Sequence, residues 1–243
     1  MMRTILILAM FALSVAAQTV TVAVAANVSY AVEDLVKAFE KGHPKTHVRV
    51  ILGSSGKLTA QIRRGAPFDL FLSADTGYPE ALHADGVGLQ KPRVYARGLL
   101  ALLSPKPRKL DPGLRTLLSP QIGRIAVANP KTAPYGRAAV AAMKKAGLYR
   151  QVLPRLIYGE SVSQTLTYTL RAADVGIVAK SALMSPKMRR FKEGKNWVEV
   201  DRGLYRPIAQ GMLLLTPNGR AFYDFLTSEE ARKIFEAYGY LKP

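Results

Sequence analysis

The sequence predicts an α/β fold of two similar lobes, each a mostly parallel sheet flanked by helices, for three reasons. Short runs of Val, Ile and Leu alternate with amphipathic segments, and this β–loop–α order is typical of parallel sheets. The order restarts after the Pro-rich stretch 104–112, which indicates a second lobe. The C-terminal helical segments have no counterpart in the second half, so we expect the chain to return to the first lobe.

Three strand–helix units make up the predicted first lobe. Strands are predicted at 19–25, 48–52 and 69–72, each followed by Asn, Ser, Gly or Asp residues that end a strand or begin a helix. Residues 32–39 carry apolar side chains at i, i+3, i+4 and i+7, the stripe of an amphipathic helix. Leu58 and Ile62 mark a second helix.

The second half repeats the pattern and ends in helices. Strands are predicted at 94–103, 124–128, 156–158, 175–178, 197–200 and 208–215, and helices at 137–145, from 161 onward, at 221–226 and at 231–238. Thr227 and Glu230 have the spacing of a capping box and are predicted to begin the last helix. We assign 18–97 and 206–243 to the first lobe and 98–205 to the second.

Composition excludes several classes of protein. The chain has 243 residues, 35 Lys plus Arg against 17 Asp plus Glu, and no cysteine. Without cysteine there is no disulfide framework, zinc ribbon or thiol nucleophile. A hydrophobic content of 49% excludes a disordered polycation. The formal net charge of +18 indicates an anionic partner: nucleic acid, anionic lipid or a small anion.

Residues 1–17 are predicted to be a secretory signal peptide, cleaved after Ala17. A basic start precedes an apolar run over 5–15 and then small residues, the order that signal peptidase requires. The run is shorter than the roughly 20 residues that span a bilayer, and a buried first helix is the alternative. Because the chain also lacks a cysteine for a lipid anchor, we expect a free protein of the periplasm.

Four loops at predicted strand ends form the candidate site. Ligands of open α/β sheets bind outside the carboxyl ends of strands. The loops there are Asn27, 53–56, 129–136 and 159–163, all rich in Gly, Ser, Asn or Pro, and three of them lead directly into helices. A helix N-terminus offers free N–H groups and a partial positive charge, so the loops could enclose a small oxyanion. Taken singly, each loop is also explained as an ordinary cap or turn.

The same loops carry a family resemblance. Its most specific part consists of Gly53–Leu58, Gln61-Ile62, Gly65–Pro67 and Asp69–Asp75, and further matching segments are Ala25–Asn27, Asn129–Gly136, Glu160–Val162, Gly176–Val178 and the C-terminal aromatic segments. In these segments the chain resembles the molybdate-binding periplasmic proteins, the solute receptors of molybdate ABC importers. The resemblance extends over essentially the whole chain after residue 17.

The resemblance implies a two-lobed periplasmic binding protein fold of type II, with the oxyanion in the cleft. It maps the ligand donors onto Asn27, Ser55, Tyr135 and Val162. Val162 would donate its main-chain N–H, Tyr135 its N–H and also its hydroxyl, and the first two a side chain and an N–H. Ala26 and Ser54 are further candidates beside them.

One position departs from the family pattern. Many members carry a ligand-binding tyrosine at the end of the Gly-Ile-Val strand, where this chain has Ala179. Tyr135 and Lys180 are the candidates to replace it, and a solvated lysine is the alternative explanation of Lys180. Asp69 and Asp75 are expected to cap loops or to hold the Ser54–Ser55 turn.

We therefore expect a receptor, and not an enzyme, that binds molybdate and tungstate without a cofactor. It would deliver the bound oxyanion to the permease subunits of an ABC importer. The rivals are a receptor for sulfate or chromate, a periplasmic enzyme acting on an anion, and a surface binder of lipid or nucleic acid. Against the enzyme, the loops contain no nucleophile–base pair. The basic runs 106–109 and 187–195 lack interleaved aromatics and are expected to be solvated, with no nucleic acid bound. Pro44 separates His43 from His47, so we expect no bare metal site, and we expect a monomer.

Overall fold

The computed structural model describes residues 18–243, so the predicted signal peptide lies outside the described residues. Ten strands in this part of the chain form two five-stranded sheets. The strands are β1 (Gln18–Ala25), β2 (Thr46–Gly53), β3 (Leu70–Leu72), β4 (Arg93–Gly98), β5 (Leu100–Leu103), β6 (Ile125–Ala128), β7 (Leu156–Gly159), β8 (Val175–Ala179), β9 (Trp197–Glu199) and β10 (Ile208–Leu214).

Within residues 18–243, nine α-helices cover the sheets. They are α1 (Val32–Gly42), α2 (Ser55–Arg63), α3 (Gly77–Ala84), α4 (Pro134–Lys145), α5 (Tyr149–Val152), α6 (Val162–Arg171), α7 (Lys180–Leu183), α8 (Arg220–Phe225) and α9 (Glu229–Ala237). A short 3-10 helix at Ala26–Tyr30 follows β1 directly. None of the helices in residues 18–243 has the length and apolarity needed to cross a bilayer.

The first sheet has the order β2-β1-β3-β10-β4, and the second has the order β7-β6-β8-β5-β9. In each sheet one strand, β10 or β5, runs antiparallel to both neighbours, and the other pairings are parallel. Each sheet has an apolar core on both faces, with α1, α8 and α9 on one side of the first sheet and α2 and α3 on the other. The predicted α/β fold of two lobes is therefore confirmed.

The connections between the sheets correct one predicted strand. The apolar run 94–103 is two strands, because β4 ends at Gly98 in the first sheet and β5 begins at Leu100 in the second. Leu99 alone makes this crossing. A second crossing over residues 200–207 returns the chain to β10. This strand membership supports the lobe boundaries given above, which stay a prediction.

Two helix starts differ from the sequence-based expectation. Helix α4 begins at Pro134, one turn before the predicted 137, since proline is favoured at the first helical position, where its missing N–H costs nothing. The capping box at Thr227 is wrong. Ser228 caps α9 by accepting a hydrogen bond from the Ala231 N–H at 3.2 Å, while Thr227 donates its hydroxyl to the Asp224 carbonyl.

Candidate functional site

The carboxyl ends of four parallel strands face one small cavity between the sheets. Strands β1 and β2 lead to it from the first sheet, and β6 and β7 from the second. Its empty volume, including the space open to solvent, is about 200 Å³. The lining residues are Ala25, Ala26, Asn27, Ser54, Ser55, Ala74, Ala133, Pro134, Tyr135, Ser161 and Val162.

Helix N-termini provide the donors of this cavity. Ser55 and Val162 are the first residues of α2 and α6, Tyr135 is the second residue of α4, and Asn27 is the second residue of the 3-10 helix after β1. The first N–H groups of a helix have no acceptor within the helix, and the helix dipole places partial positive charge there. Four such ends around one cavity form a neutral shell suited to an anion.

Ser54 and Ser55 add hydroxyl groups to the shell. Ser55 Oγ accepts a hydrogen bond from the Ala74 N–H at 2.9 Å, which leaves its own proton to donate. Ser54 occupies the N-cap of α2, but its side chain does not cap the helix. Its buried hydroxyl has no hydrogen-bond partner among residues 18–243. Ser161, the N-cap of α6, likewise accepts from the Gln164 N–H at 3.2 Å and keeps its own proton to donate. Three serine hydroxyls, two from the first lobe and one from the second, are therefore available to a ligand.

Asn27 is held by a buried network. Its Nδ2 donates to Gln210 Oε1 at 2.8 Å and to the Tyr240 hydroxyl at 3.0 Å. Its main-chain carbonyl oxygen accepts from the hydroxyls of Tyr240 at 2.8 Å and Ser181 at 3.0 Å, while its side-chain Oδ1 has no hydrogen-bond partner among residues 18–243. Because both side-chain N–H bonds are directed into this network, the main-chain N–H is the donor that Asn27 can offer to the cavity without losing a contact.

The Tyr135 hydroxyl also has a protein partner, since it accepts a hydrogen bond from Gln210 Nε2 at 3.1 Å. Tyr135 is 2% exposed, and burial, together with the neighbouring tyrosines Tyr240 and Tyr95, raises the pKa of its phenol well above the usual value. The hydroxyl thus stays protonated and places no negative charge beside the cavity.

Lys180 is the one sequence-predicted site residue that the structure does not place at the cavity. Its ammonium lies 2.7 Å from Glu199 Oε2. Burial opposes ionisation of Glu199, but hydrogen bonds from Arg202 and Lys180 hold the pKa of its carboxyl below the usual value. Lys180 is therefore committed to an ion pair, and it does not replace the family tyrosine at Ala179.

Comparison with known proteins identifies the family. The family model described as bacterial extracellular solute-binding protein matches residues 20–241. The chain belongs to this family. Among curated members it is 36% identical to the molybdate-binding protein ModA of Rhodobacter capsulatus, covering 95% of this chain and 91% of the relative. It is 37% identical to ModA of Azotobacter vinelandii, covering 92% and 90%.

Solved structures of solute-binding proteins agree with the fold. The periplasmic molybdate-binding protein of Azotobacter vinelandii superposes with a TM-score of 0.86 at 31% identity, over 92% of this chain and 99% of that one. The sulfate-binding protein SubI of Mycobacterium tuberculosis superposes with a TM-score of 0.74 at 14% identity, over 92% and 86%, which shows the shared fold alone.

Within this solute-binding fold, the described residues that line the cavity carry no charged side chain. Asp75 pairs with Arg137, and its Oδ1 accepts from the Tyr78 N–H. Asp69 accepts from the Thr21 N–H at 2.8 Å and from Thr216 Oγ1 at 2.5 Å. Both carboxylates thus cap loops, as the sequence indicated, and neither forms a hydrogen bond with Ser54 or Ser55. Residues 18–243 also contain no group of three or more His, Asp or Glu side chains that could hold a metal ion.

Contacts between the lobes close the cavity, and the sequence did not identify them. The Gly56 N–H donates to the Thr132 carbonyl at 3.0 Å, and Ser163 Oγ donates to the Ala26 carbonyl at 2.8 Å. The ion pairs Asp75–Arg137 and Lys57–Glu160 also join the lobes. The paired residues are 62 and 103 positions apart in the sequence, respectively. Such pairs can be predicted only when the arrangement of the two lobes is already known.

Proposed function

We propose that this solute-binding protein captures molybdate between its lobes. The observation that carries the proposal is the ring of four helix N-termini and three serine hydroxyls around one small, uncharged cavity. A fully ionised tetrahedral dianion needs donors on every side, and a carboxylate in the shell would repel it. The molybdate-binding relatives at 36–37% identity support molybdate as the dianion.

The proposed donors divide evenly between the lobes. Asn27 and Ser55 serve from the first lobe, the latter through both its N–H and its hydroxyl, with Ser54 and Ala26 beside them. Tyr135 and Val162 serve from the second lobe through main-chain N–H groups. Because no single lobe holds the full set, ligand binding favours the closed arrangement.

We further propose where in the cell the protein acts and to which partner it delivers the oxyanion. The chain acts as an exported monomer in the periplasm and passes molybdate, or tungstate, to the membrane permease subunits of an ABC importer. It performs no catalytic step and uses no cofactor. The positive charge, including the exposed residues of runs 106–109 and 187–195, belongs to the surface and is not proposed to bind nucleic acid.

A thermal-shift series tests the ligand. Molybdate at 100 times its Kd is expected to add about 2.7 kcal/mol to the free energy of unfolding. For a chain of this size, that corresponds to a rise in Tm of about 5–10 °C. Tungstate is expected to act comparably, while sulfate, phosphate and chromate at the same ionic strength serve as comparisons. No shift with molybdate or tungstate would refute the proposal, and a large shift with sulfate alone would favour a sulfate receptor.

Ser55→Ala tests the donor set. The substitution removes a hydroxyl that can donate to the anion, and such a hydrogen bond to a charged group is worth about 1.5–3 kcal/mol. We expect molybdate affinity, measured by calorimetric titration, to fall by about one to two orders of magnitude. Lys180→Ala is the control, since Lys180 pairs with Glu199 away from the cavity. Equal losses of affinity in the two variants would contradict the assignment.

A further inference from the structure

Gln210 is a fully buried amide on β10, the strand that follows the second crossing between the lobes. It lies opposite Ala96 of β4, two residues before β4 ends at Gly98. Both connections between the lobes therefore pass close to this side chain. A buried amide must have its polar atoms paired, and the partners of Gln210 show which parts of the molecule it joins.

The carbonyl end of Gln210 faces the first lobe. Oε1 accepts from Asn27 Nδ2 at 2.8 Å and from the Tyr95 hydroxyl at 2.8 Å. Asn27 follows β1 directly and lines the cavity. Gln210 thus fixes the side chain of a residue whose main-chain N–H is one of the proposed ligand donors.

The amino end of Gln210 faces the second lobe, where Nε2 donates to the Tyr135 hydroxyl at 3.1 Å. Tyr135 belongs to α4 and lines the same cavity from the opposite side. One amide therefore contacts a cavity residue of each lobe. Of these contacts only the one with Tyr135 joins the two lobes, because Asn27, Tyr95 and Gln210 all belong to elements of the first sheet or directly follow them.

We propose that Gln210 is a positioning residue that couples closure of the lobes to retention of the oxyanion. In the closed arrangement its amide joins Asn27 to Tyr135 and so stabilises the state in which both can contact the ligand. The proposal rests on the proposed function, because it concerns release of the ligand from that same cavity. It predicts an effect on the rate of release, since the bond to Tyr135 forms only after the ligand has entered and the lobes have closed.

Gln210→Met is the principal variant, because methionine keeps the length and volume of the side chain but removes its hydrogen bonds. Loss of buried hydrogen bonds of this kind is expected to speed molybdate release by about tenfold. The association rate is expected to stay within about twofold of the wild-type value. Release can be followed by dilution of protein loaded with labelled molybdate, and association by the approach to equilibrium.

Met212→Ala is the matched control, since Met212 lies on the same strand and is fully buried in the core of the first lobe. It is expected to lower Tm without changing the release rate. If Met212→Ala speeds release as much as Gln210→Met does, the effect is one of general destabilisation and the proposal is overturned.

A double-mutant cycle isolates the bond between the lobes. Tyr135→Phe removes the hydroxyl that accepts from Gln210, so the pair Gln210→Met and Tyr135→Phe should be no worse than Gln210→Met alone. Independent, multiplying effects of the two substitutions on the release rate would overturn the coupling.

The proposed function and the proposed coupling fail in different ways. A wild-type protein that does not bind molybdate refutes the function and the coupling with it. A wild-type protein that binds, with a Gln210→Met variant that releases at the wild-type rate, refutes the coupling alone.

Discussion

Gly136→Ala is expected to destabilise the protein by about 3 kcal/mol or more, the largest effect that we predict for a single methyl group. Gly136 is the third residue of α4, directly after Tyr135. A Cβ added there would overlap the carbonyl oxygen of Ala128 and lie 2.7 Å from its carbon and 2.9 Å from the carbonyl carbon of Asn129. These are main-chain atoms at the end of β6, so no side-chain rotation can relieve the overlap.

Thermal unfolding of the ligand-free protein measures this effect. A loss of about 3 kcal/mol lowers the Tm of a domain of this size by roughly 6–12 °C. Molybdate affinity should fall as well, because the helix start that carries the Tyr135 N–H must move away from β6. Gly42→Ala is the control, since a Cβ at Gly42 meets no atom within 4 Å. A Gly136→Ala variant with the Tm of Gly42→Ala would show that the close approach of α4 to β6 is not required.

The fold was predictable because helices cover its sheets on both faces, which leaves a recognisable pattern in the sequence of the strands. A parallel strand covered on both faces appears as a continuous apolar run, and runs of this kind alternate with helical stripes along the whole chain. The same property concealed the first crossing between the lobes. Leu99 and Leu100 are both buried, so apolarity continues without a break while the chain passes from one sheet to the other. Hydrophobicity records burial and not which sheet a strand joins.

The candidate site was predictable to the extent that it consists of strand ends and helix starts. Local sequence marks these points, and the structure places Asn27, Ser55, Tyr135 and Val162 around one cavity, with Ala26 and Ser54 beside them. Whether these residues bind the ligand stays a prediction. Local sequence does not show where a long side chain points, which is why Lys180 was considered and then found with Glu199.

Gln210 shows a different limit of sequence analysis. It is 183 residues from Asn27 and 75 from Tyr135, and a single Gln in a predicted strand has no pattern that singles it out. Its contacts depend on the return of β10 to the first sheet and on closure of the two lobes. The prediction of Thr227 as the cap failed for a smaller reason, because the adjacent hydroxyl of Ser228 caps equally well and only the backbone conformation decides between them.

Gly56→Ala is expected to lower molybdate affinity by about one to two orders of magnitude while leaving the stability of the ligand-free protein unchanged. An added Cβ would lie 3.0 Å from the carbonyl oxygen and 3.2 Å from the Cα of Thr132 in the second lobe, and 2.7 Å from the Tyr78 hydroxyl. The tyrosine can move, but the main chain of Thr132 cannot move without separating the lobes. Gly56 also donates its N–H to that same carbonyl. The strain of about 1–3 kcal/mol therefore arises only in the closed state.

Calorimetric titration with molybdate, together with a melting curve of the ligand-free protein, distinguishes this effect from that of Gly136→Ala. Gly56→Ala should change only the molybdate affinity, because the added methyl group meets the opposite lobe. Gly136→Ala should lower both the affinity and the Tm, because its added methyl group meets a strand of its own lobe. Gly77→Ala is the control for Gly56→Ala, since its added Cβ would approach only Asp75, at 4.0 Å. Wild-type affinity in Gly56→Ala would mean that the ligand is held without full closure, and the four helix ends would then have to bind it from further apart.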